Sequence, residues 1–146
     1  GVLTSTGPRT TRYMMSLEQG VELVWHAFED MVGGEIYVKK IPSMTMPDVA
    51  TAVSATAEQK IIGIRPGEKL HEQMISAEDS FHTYEYPEHF EILPAINGWD
   101  ETPERIKDGV KVPEGFVYAS DNNSEWMTTE QLQEWIETNK AKIGKI

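Results

Sequence analysis

The sequence predicts an α/β fold, built as one region over residues 1–146. Three observations predict it. Apolar residues recur at helical spacing after Ser16, runs of β-formers follow at 35–38 and 60–64, and helix alternates with strand in the rhythm of βαβ units. Lys60-Ile61-Ile62-Gly63-Ile64 is almost continuously apolar after its first residue, which predicts a strand buried on both faces, as in a parallel sheet.

In chain order, residues 1–12 carry Gly7-Pro8 and several Thr and Ser, and read as an extended or irregular lead-in. Ser16 with Gln19 forms a capping box, and Leu17, Val21, Val24, Phe28 and Met31 then fall on one helical face until Gly33-Gly34 stops the helix. Glu35-Ile36-Tyr37-Val38 reads as a short strand. Thr45 and Asp48 bracket a second helix start, with Pro47 tolerated in the first turn and the helix fading near Ala57. After the strand at 60–64, the spacing of Leu70, Met74 and Ile75 predicts a short helix ending before Ser80. His82–Tyr86 and His89–Leu93 flank Pro87-Glu88 as a β-hairpin. Residues 94–114, rich in Pro, Gly and charge, form a long loop, and loops of this size are usually functional, mobile or interface-forming. Phe116–Ser120 is a last strand, Asp121–Ser124 a turn, and Thr128 with Gln131 caps a terminal helix carrying Leu132, Trp135 and Ile136.

Bulk properties exclude several classes. A formal net charge of −11 argues against general nucleic-acid binding, which needs a basic footprint, but leaves room for a nucleotide held by a local cation. With no cysteine there is no disulfide, thiolate catalysis or Cys-ligated zinc. No apolar run approaches the length of a membrane span, no basic region precedes an apolar stretch at the N-terminus, and the expected compartment is the cytoplasm. Asn122-Asn123-Ser124 matches a glycosylation sequon, which carries little meaning without a secretion signal.

The stretch with the most chemistry runs from Ile61 through Arg65-Pro66-Gly67-Glu68 to Glu72. Strand, tight turn and helix start is a layout that presents donors to an anion. Arg65 at the strand end carries a planar fork suited to a phosphate, and the Glu68 carboxylate can accept hydrogen bonds from sugar hydroxyls. The plainer reading is a surface turn with solvated charges. Glu68, His71 and Glu72 would share a helical face, so a metal site is the third reading, without a second His-rich segment to complete it. His26 falls on the polar side of the first helix as a solvated residue. There is no nucleophile elbow, no Walker-type glycine loop and no glycine-rich dinucleotide fingerprint, and no Tyr has a Lys four residues later.

Thr11-Arg12-Tyr13, Ser16-Leu17-Glu18-Gln19-Gly20-Val21, Lys40-Ile41-Pro42-Ser43-Met44, Ile62–Glu72 and Ser120-Asp121-Asn122-Asn123-Ser124-Glu125-Trp126 occur in this order. Together they resemble the C-terminal part of the inverting UDP-N-acetylglucosamine 4,6-dehydratases, and more broadly the extended short-chain dehydrogenase/reductases of surface-glycan biosynthesis. The resemblance runs from about residue 1 to about 136. Leu3-Thr4-Ser5-Thr6-Gly7 departs from the family's usual Leu-Pro-Ile-Thr-Asp, and Thr10 stands in place of a Met.

The resemblance implies a partial extended short-chain dehydrogenase/reductase fold: the substrate-binding portion, with short parallel strands, flanking helices and a small hairpin, lacking the Rossmann domain that holds NADP. It implies that Arg65 binds the UDP diphosphate, that Glu68 binds the ribose, and that Arg12 also faces the diphosphate. Catalytic groups and the NADP site are then expected outside this chain and no metal site within it; the chain would bind UDP-GlcNAc for a dehydratase of pseudaminic acid or capsule biosynthesis and be inactive alone. The alternative is a stand-alone binding or oligomerisation module derived from such an enzyme, and a metal-dependent hydrolase using Glu68, His71 and Glu72 is a further one. Strands at 35–38 and 60–64 without a larger sheet would leave open edges, so self-association into a homo-oligomer is expected.

Overall fold

The computed structural model describes residues 1–95 and 102–143. Its elements begin with β1 (Val2–Ser5), β2 (Thr11–Tyr13), α1 (Leu17–Asp30), β3 (Ile36–Lys39), β4 (Ser43–Thr45), α2 (Met46–Val53) and β5 (Glu58–Ile61). They continue with β6 (Gln73–Ile75), a 3-10 turn (Asp79–His82), β7 (Thr83–Glu85), β8 (His89–Ile92), α3 (Pro103–Ile106), β9 (Val110–Lys111), β10 (Tyr118–Ala119) and α4 (Thr129–Ile143). They fall into two compact units. The first is Gly1–Met14, Pro42–Glu72 and Asn123–Ile146; the second is Met15–Ile41 and Gln73–Asn122.

In the first unit the lead-in, expected to be extended or irregular, is extended and paired as two strands. β1 runs parallel to β5, and β2 runs antiparallel to β4, with Arg12 opposite Met44. The Thr and Ser content that suggested a loop is compatible with strand once backbone partners exist, and Thr10, Thr11 and Ser5 are buried. Ser43 joins all three segments of this unit. Its backbone N–H donates to Glu125 O at 2.9 Å, its carbonyl accepts from Met127 N at 2.9 Å, and its hydroxyl lies 3.0 Å from Asn123 Nδ2. The next residue, Met44, is wholly buried and forms a core with Ala52 of α2 and Leu132 of α4, surrounded by Met14, Val49, Met127 and Ile136. Both helices start as their sequences require: Thr45 Oγ1 accepts from Asp48 N–H at 3.3 Å, and Thr128 and Gln131 make a reciprocal box at 2.8 and 3.2 Å. The strand at 60–64 differs from expectation. Ordered pairing covers Glu58–Ile61, and every residue of it is exposed, with Ile61 61% accessible. β1 on one edge is its strand partner, and the Gln59 side chain donates to Pro47 O and Thr51 Oγ1 of α2 at 3.2 and 3.0 Å.

The second unit holds a four-stranded antiparallel sheet in the order β3-β8-β7-β9. β7 and β8 are the expected hairpin, whereas β3, expected in a parallel arrangement, runs antiparallel to β8 with Val38 opposite Phe90. The helix expected around Leu70–Ile75 is also replaced. Gln73–Ile75 is a strand that pairs antiparallel with β10, and Ile75 is wholly buried, so long-range pairing overrides local apolar spacing. The 94–114 segment carries α3 and β9 within its described part; residues 96–101 of that expected loop lie outside the described residues. Phe90 stacks near Phe116 and Tyr118 at 5.3 and 5.1 Å, and the Tyr118 hydroxyl bonds both the N–H and the carbonyl of Ile41 at 3.1 Å.

Helix α1 forms with its predicted box, Ser16 Oγ accepting from Gln19 N–H at 3.2 Å and Gln19 Oε1 accepting from Ser16 N–H at 2.9 Å. It ends at Asp30, just before Gly33 and Gly34, both at positive φ. Its apolar face is bare: no residue of α1 is buried, and Leu17, Trp25 and Phe28 are 82, 65 and 68% accessible.

Glu91 of β8 is 2% accessible. Burial is the main cause that pushes its carboxyl up from 4.5 to about 7; the Tyr86 hydroxyl and Lys107 pull it down, while Asp30 and Glu35 add to the rise. Between 4.5 and about 7 the folded chain therefore holds a proton that the unfolded chain has released. Stability falls as pH rises through that window and is level with respect to this group above it. Glu91→Gln should remove roughly 2 kcal/mol of that loss. Denaturant unfolding at pH 5 and pH 8 reads this as a smaller difference in the variant than in the parent; equal differences would contradict it.

Candidate functional site

The candidate site is the turn that follows β5 in the first unit. Ile62 N–H donates to Ser5 O at 2.8 Å, which carries the β1–β5 pairing one residue past the strand. The chain then reverses at Arg65–Glu68. Glu68 N–H donates to Arg65 O at 3.0 Å, Pro66 occupies the first central position, and Gly67 at φ +80° the second. These are the requirements of a type II turn, where only glycine adopts positive φ without strain. No helix follows, contrary to the expected helix start at this motif; residues 69–72 run irregularly to β6.

The Glu68 side chain folds back over this turn. Its Oε2 accepts from Arg65 N–H at 3.2 Å, and its Oε1 lies 3.3 Å from Arg12 Nη2. Each oxygen thus has one fixed donor and a lone pair left for a hydroxyl. Arg65 is exposed, and among the described residues its guanidinium has no ion pair. Its backbone N–H meets the Glu68 carboxylate while its side chain stays exposed.

Arg12, the other candidate, reaches the same segment from β2. Nη1 donates to Leu70 O at 3.2 Å and Thr11 O at 2.7 Å, Nη2 donates to Lys69 O at 3.1 Å, and Nε lies 3.5 Å from the Glu72 carboxylate. Beside it, Thr11 N–H donates to Leu70 O at 3.1 Å, and Thr11 Oγ1 sits 2.7 Å from His71 Nδ1. The structure therefore joins Arg12 of β2 and the Arg65 backbone N–H on the one carboxylate of Glu68. Glu68, His71 and Glu72 do not converge as the helical metal face would require: the two carboxylates turn to Arg12 and the imidazole to Thr11. Among the described residues no group of three or more His, Asp or Glu is placed to hold a metal.

Sequence reasoning missed a cavity of about 440 Å³ within the second unit, lined by His26, Asp30, Lys39, Tyr86, His89 and Lys107 among others. His26, expected as a solvated surface residue, is exposed, and its ring also sits edge-on to His89 with centroids 4.7 Å apart. His89 stacks flat on Tyr86, and among the described residues its buried Nε2 has no hydrogen-bond partner. Burial, then the neighbouring His26, lowers the His89 pKa. Asp30 accepts from Tyr37 and pairs with Lys107; these partners hold its carboxyl below the usual range although burial, the largest single influence, opposes them. Nothing in the spacing of these residues announces the cavity, because it is assembled from α1, β3, the β7–β8 turn and the residues after α3.

The site sequence lies inside a stretch with a family signature. Residues 1–94 match the model of the family described as polysaccharide biosynthesis protein. The chain belongs to that family. It is 46% identical over 139 residues to a UDP-N-acetylglucosamine 4,6-dehydratase (inverting) of Campylobacter jejuni subsp. jejuni serotype O:2, a match spanning 92% of this chain and 42% of the relative. A protein of the same description from serotype O:23/36 is 45% identical over 135 residues, covering 89% of this chain and 40% of that one. A UDP-glucose 4-epimerase of Rickettsia conorii is 42% identical over 82 residues, 53% of this chain and 24% of the relative. Among solved structures, Pen from Bacillus thuringiensis superposes with a TM-score of 0.75 at 25% identity, over 94% of this chain and 41% of that one. The chain thus spans about two-fifths of the length of the dehydratases it matches. Its mixed α/β architecture, with a parallel pair, flanking helices and a small hairpin, is a partial extended short-chain dehydrogenase/reductase fold.

The turn geometry makes a prediction. An added Cβ at Gly67 would meet nothing within 4 Å, so Gly67→Ala adds backbone strain without a clash. It should cost about 1 kcal/mol, and Gly67→Asn less, because Asn tolerates positive φ. Thermal unfolding of both variants checks this, and an Ala variant as stable as the parent would show that the turn does not need this conformation.

Proposed function

We propose that this chain is the UDP-sugar-binding portion of a UDP-N-acetylglucosamine 4,6-dehydratase/5-epimerase of surface-glycan biosynthesis, of the pseudaminic acid or capsule type. The observation that carries this reading is the Arg65–Glu68 turn, which holds an exposed arginine and, three residues on, a carboxylate fixed through both oxygens. Arg65 would grip the diphosphate bidentately, and Glu68 would accept from the ribose hydroxyls. The likeness to dehydratases of that description supports the substrate class.

In this reading the chain's share of catalysis is to hold and orient the nucleotide. Fixing the diphosphate and ribose removes translational and rotational freedom that the sugar would otherwise lose at the reacting step. NADP, which the family resemblance implies for the complete enzyme, supplies hydride acceptance and return there. The residues present do not fit it: among the described residues no strand leads through a glycine-rich turn to a helix N-terminus, and no Tyr of the sequence has a Lys four residues on. No chemical step is therefore assigned to this chain, and as a separate protein it is inactive. A second reading, a binding or oligomerisation module, is favoured by the bare face of α1 and the single-partnered β5.

Calorimetric titration with UDP tests the first reading. Binding should occur, and Arg65→Ala should weaken it about tenfold or more, the worth of a charge-assisted hydrogen-bond pair. An absence of heat at millimolar UDP would count against it. For the second reading, light scattering across concentration should give a mass above that of one chain, and a constant monomer mass would sink that expectation.

A further inference from the structure

We infer that Arg12 is the positioning residue of this site: it acts on the ligand through Glu68 and the 68–72 loop rather than by touching the diphosphate. The inference rests on the UDP-binding reading above and assigns Arg12 a role different from the one the family resemblance implies.

An arginine has five N–H donors in a rigid fork. In Arg12 all three guanidinium nitrogens already face oxygens of the loop: Leu70 O for Nη1, Glu68 Oε1 and Lys69 O for Nη2, and the Glu72 carboxylate for Nε. The remaining Nη1 bond goes to Thr11 O. A phosphate would have to displace one of these oxygens, two of which belong to carboxylates that repel it. Arg65, by contrast, has its fork unspent among the described residues. The division of labour follows from donor accounting: Arg65 meets the anion, and Arg12 holds the acceptor that meets the ribose.

The anchor for this arrangement is stiff. Arg12 is the middle residue of β2, paired opposite the wholly buried Met44, so its backbone is set by a ladder and a core. Thr11 N–H and Arg12 Nη1 both donate to Leu70 O, and Thr11 Oγ1 meets His71, so the loop is strapped along β2 by adjacent residues. Glu68 without Arg12 would keep one fixed oxygen, at the Arg65 N–H, and the carboxylate would swing about it. Because the Arg12–Glu68 pair is partly solvated, its worth lies in geometry rather than in charge energy.

The test compares UDP with uridine, which keeps the ribose and lacks phosphate. Affinities of the parent, Arg12→Ala, Arg12→Lys and Arg65→Ala are measured by ligand-observed NMR, with amide hydrogen exchange of each chain without ligand. Arg12→Ala should weaken UDP and uridine by the same factor, about tenfold, leaving their ratio unchanged, whereas Arg65→Ala should weaken UDP alone. Arg12→Lys should resemble Arg12→Ala, since one ammonium cannot match the fork. Exchange at the Thr11 and Glu68 amides should rise about tenfold in Arg12→Ala while the Leu132 amide is unchanged. Loss of UDP binding with uridine binding intact, or rescue by Lys, would place Arg12 on the diphosphate and overturn the inference. So would unchanged exchange in the loop. If the parent bound neither ligand, the UDP reading itself would fail, and the exchange comparison would still decide whether Arg12 holds the loop.

Discussion

Three residues of β4 hold together a unit whose chain arrives in three separate pieces. Ser43 bonds the 123–127 segment through its N–H, carbonyl and hydroxyl, Met44 supplies the centre of the core, and the same strand pairs with β2. With no water in reach, each polar atom of a wholly buried Ser must find a protein partner, and Asn123, Glu125 and Met127 provide them. The two stretches around Ser43 and Asn123, far apart in sequence, are thus two halves of one contact. The position of β2, and therefore of everything β2 carries, follows from this junction.

The local signals were legible wherever a side chain answers its own neighbours. The boxes Ser16/Gln19 and Thr128/Gln131, the Thr45 cap, the hairpin about Pro87-Glu88 and the Pro66-Gly67 turn all rest on interactions within a few residues. What failed was whatever depends on a distant strand. Gln73–Ile75 carries apolar spacing that fits a helix, but β10 takes it as a strand; β3 is antiparallel because β8 returns beside it; residues 1–12 are ordered by β4 and β5. Strand pairing has no local signature for direction, so a β-rich run states its type and not its partner.

For the site, the turn and its two charged residues could be read from composition and order. Their stiffness could not. The bonds to Glu68, Lys69 and Leu70 come from a residue more than fifty positions earlier, and no spacing rule connects them. The cavity in the second unit escaped notice for the same reason, its histidines lying on α1 and β8. The bare faces of α1 and β5 invert a sequence inference of another kind. Apolar periodicity located the apolar face of α1 on the helix but not its burial, since Leu17, Val21, Val24 and Phe28 stay exposed, as do the residues of β5.

The 56-residue separation between Arg12 and Glu68 has an evolutionary consequence. The groups proposed to meet a ligand sit within one short turn, while the arginine that bonds Glu68 is encoded elsewhere in the chain. Selection can therefore adjust what the turn recognises and how firmly it is held as two nearly separate traits. A transplanted turn would carry the chemistry to a new scaffold and leave the firmness behind.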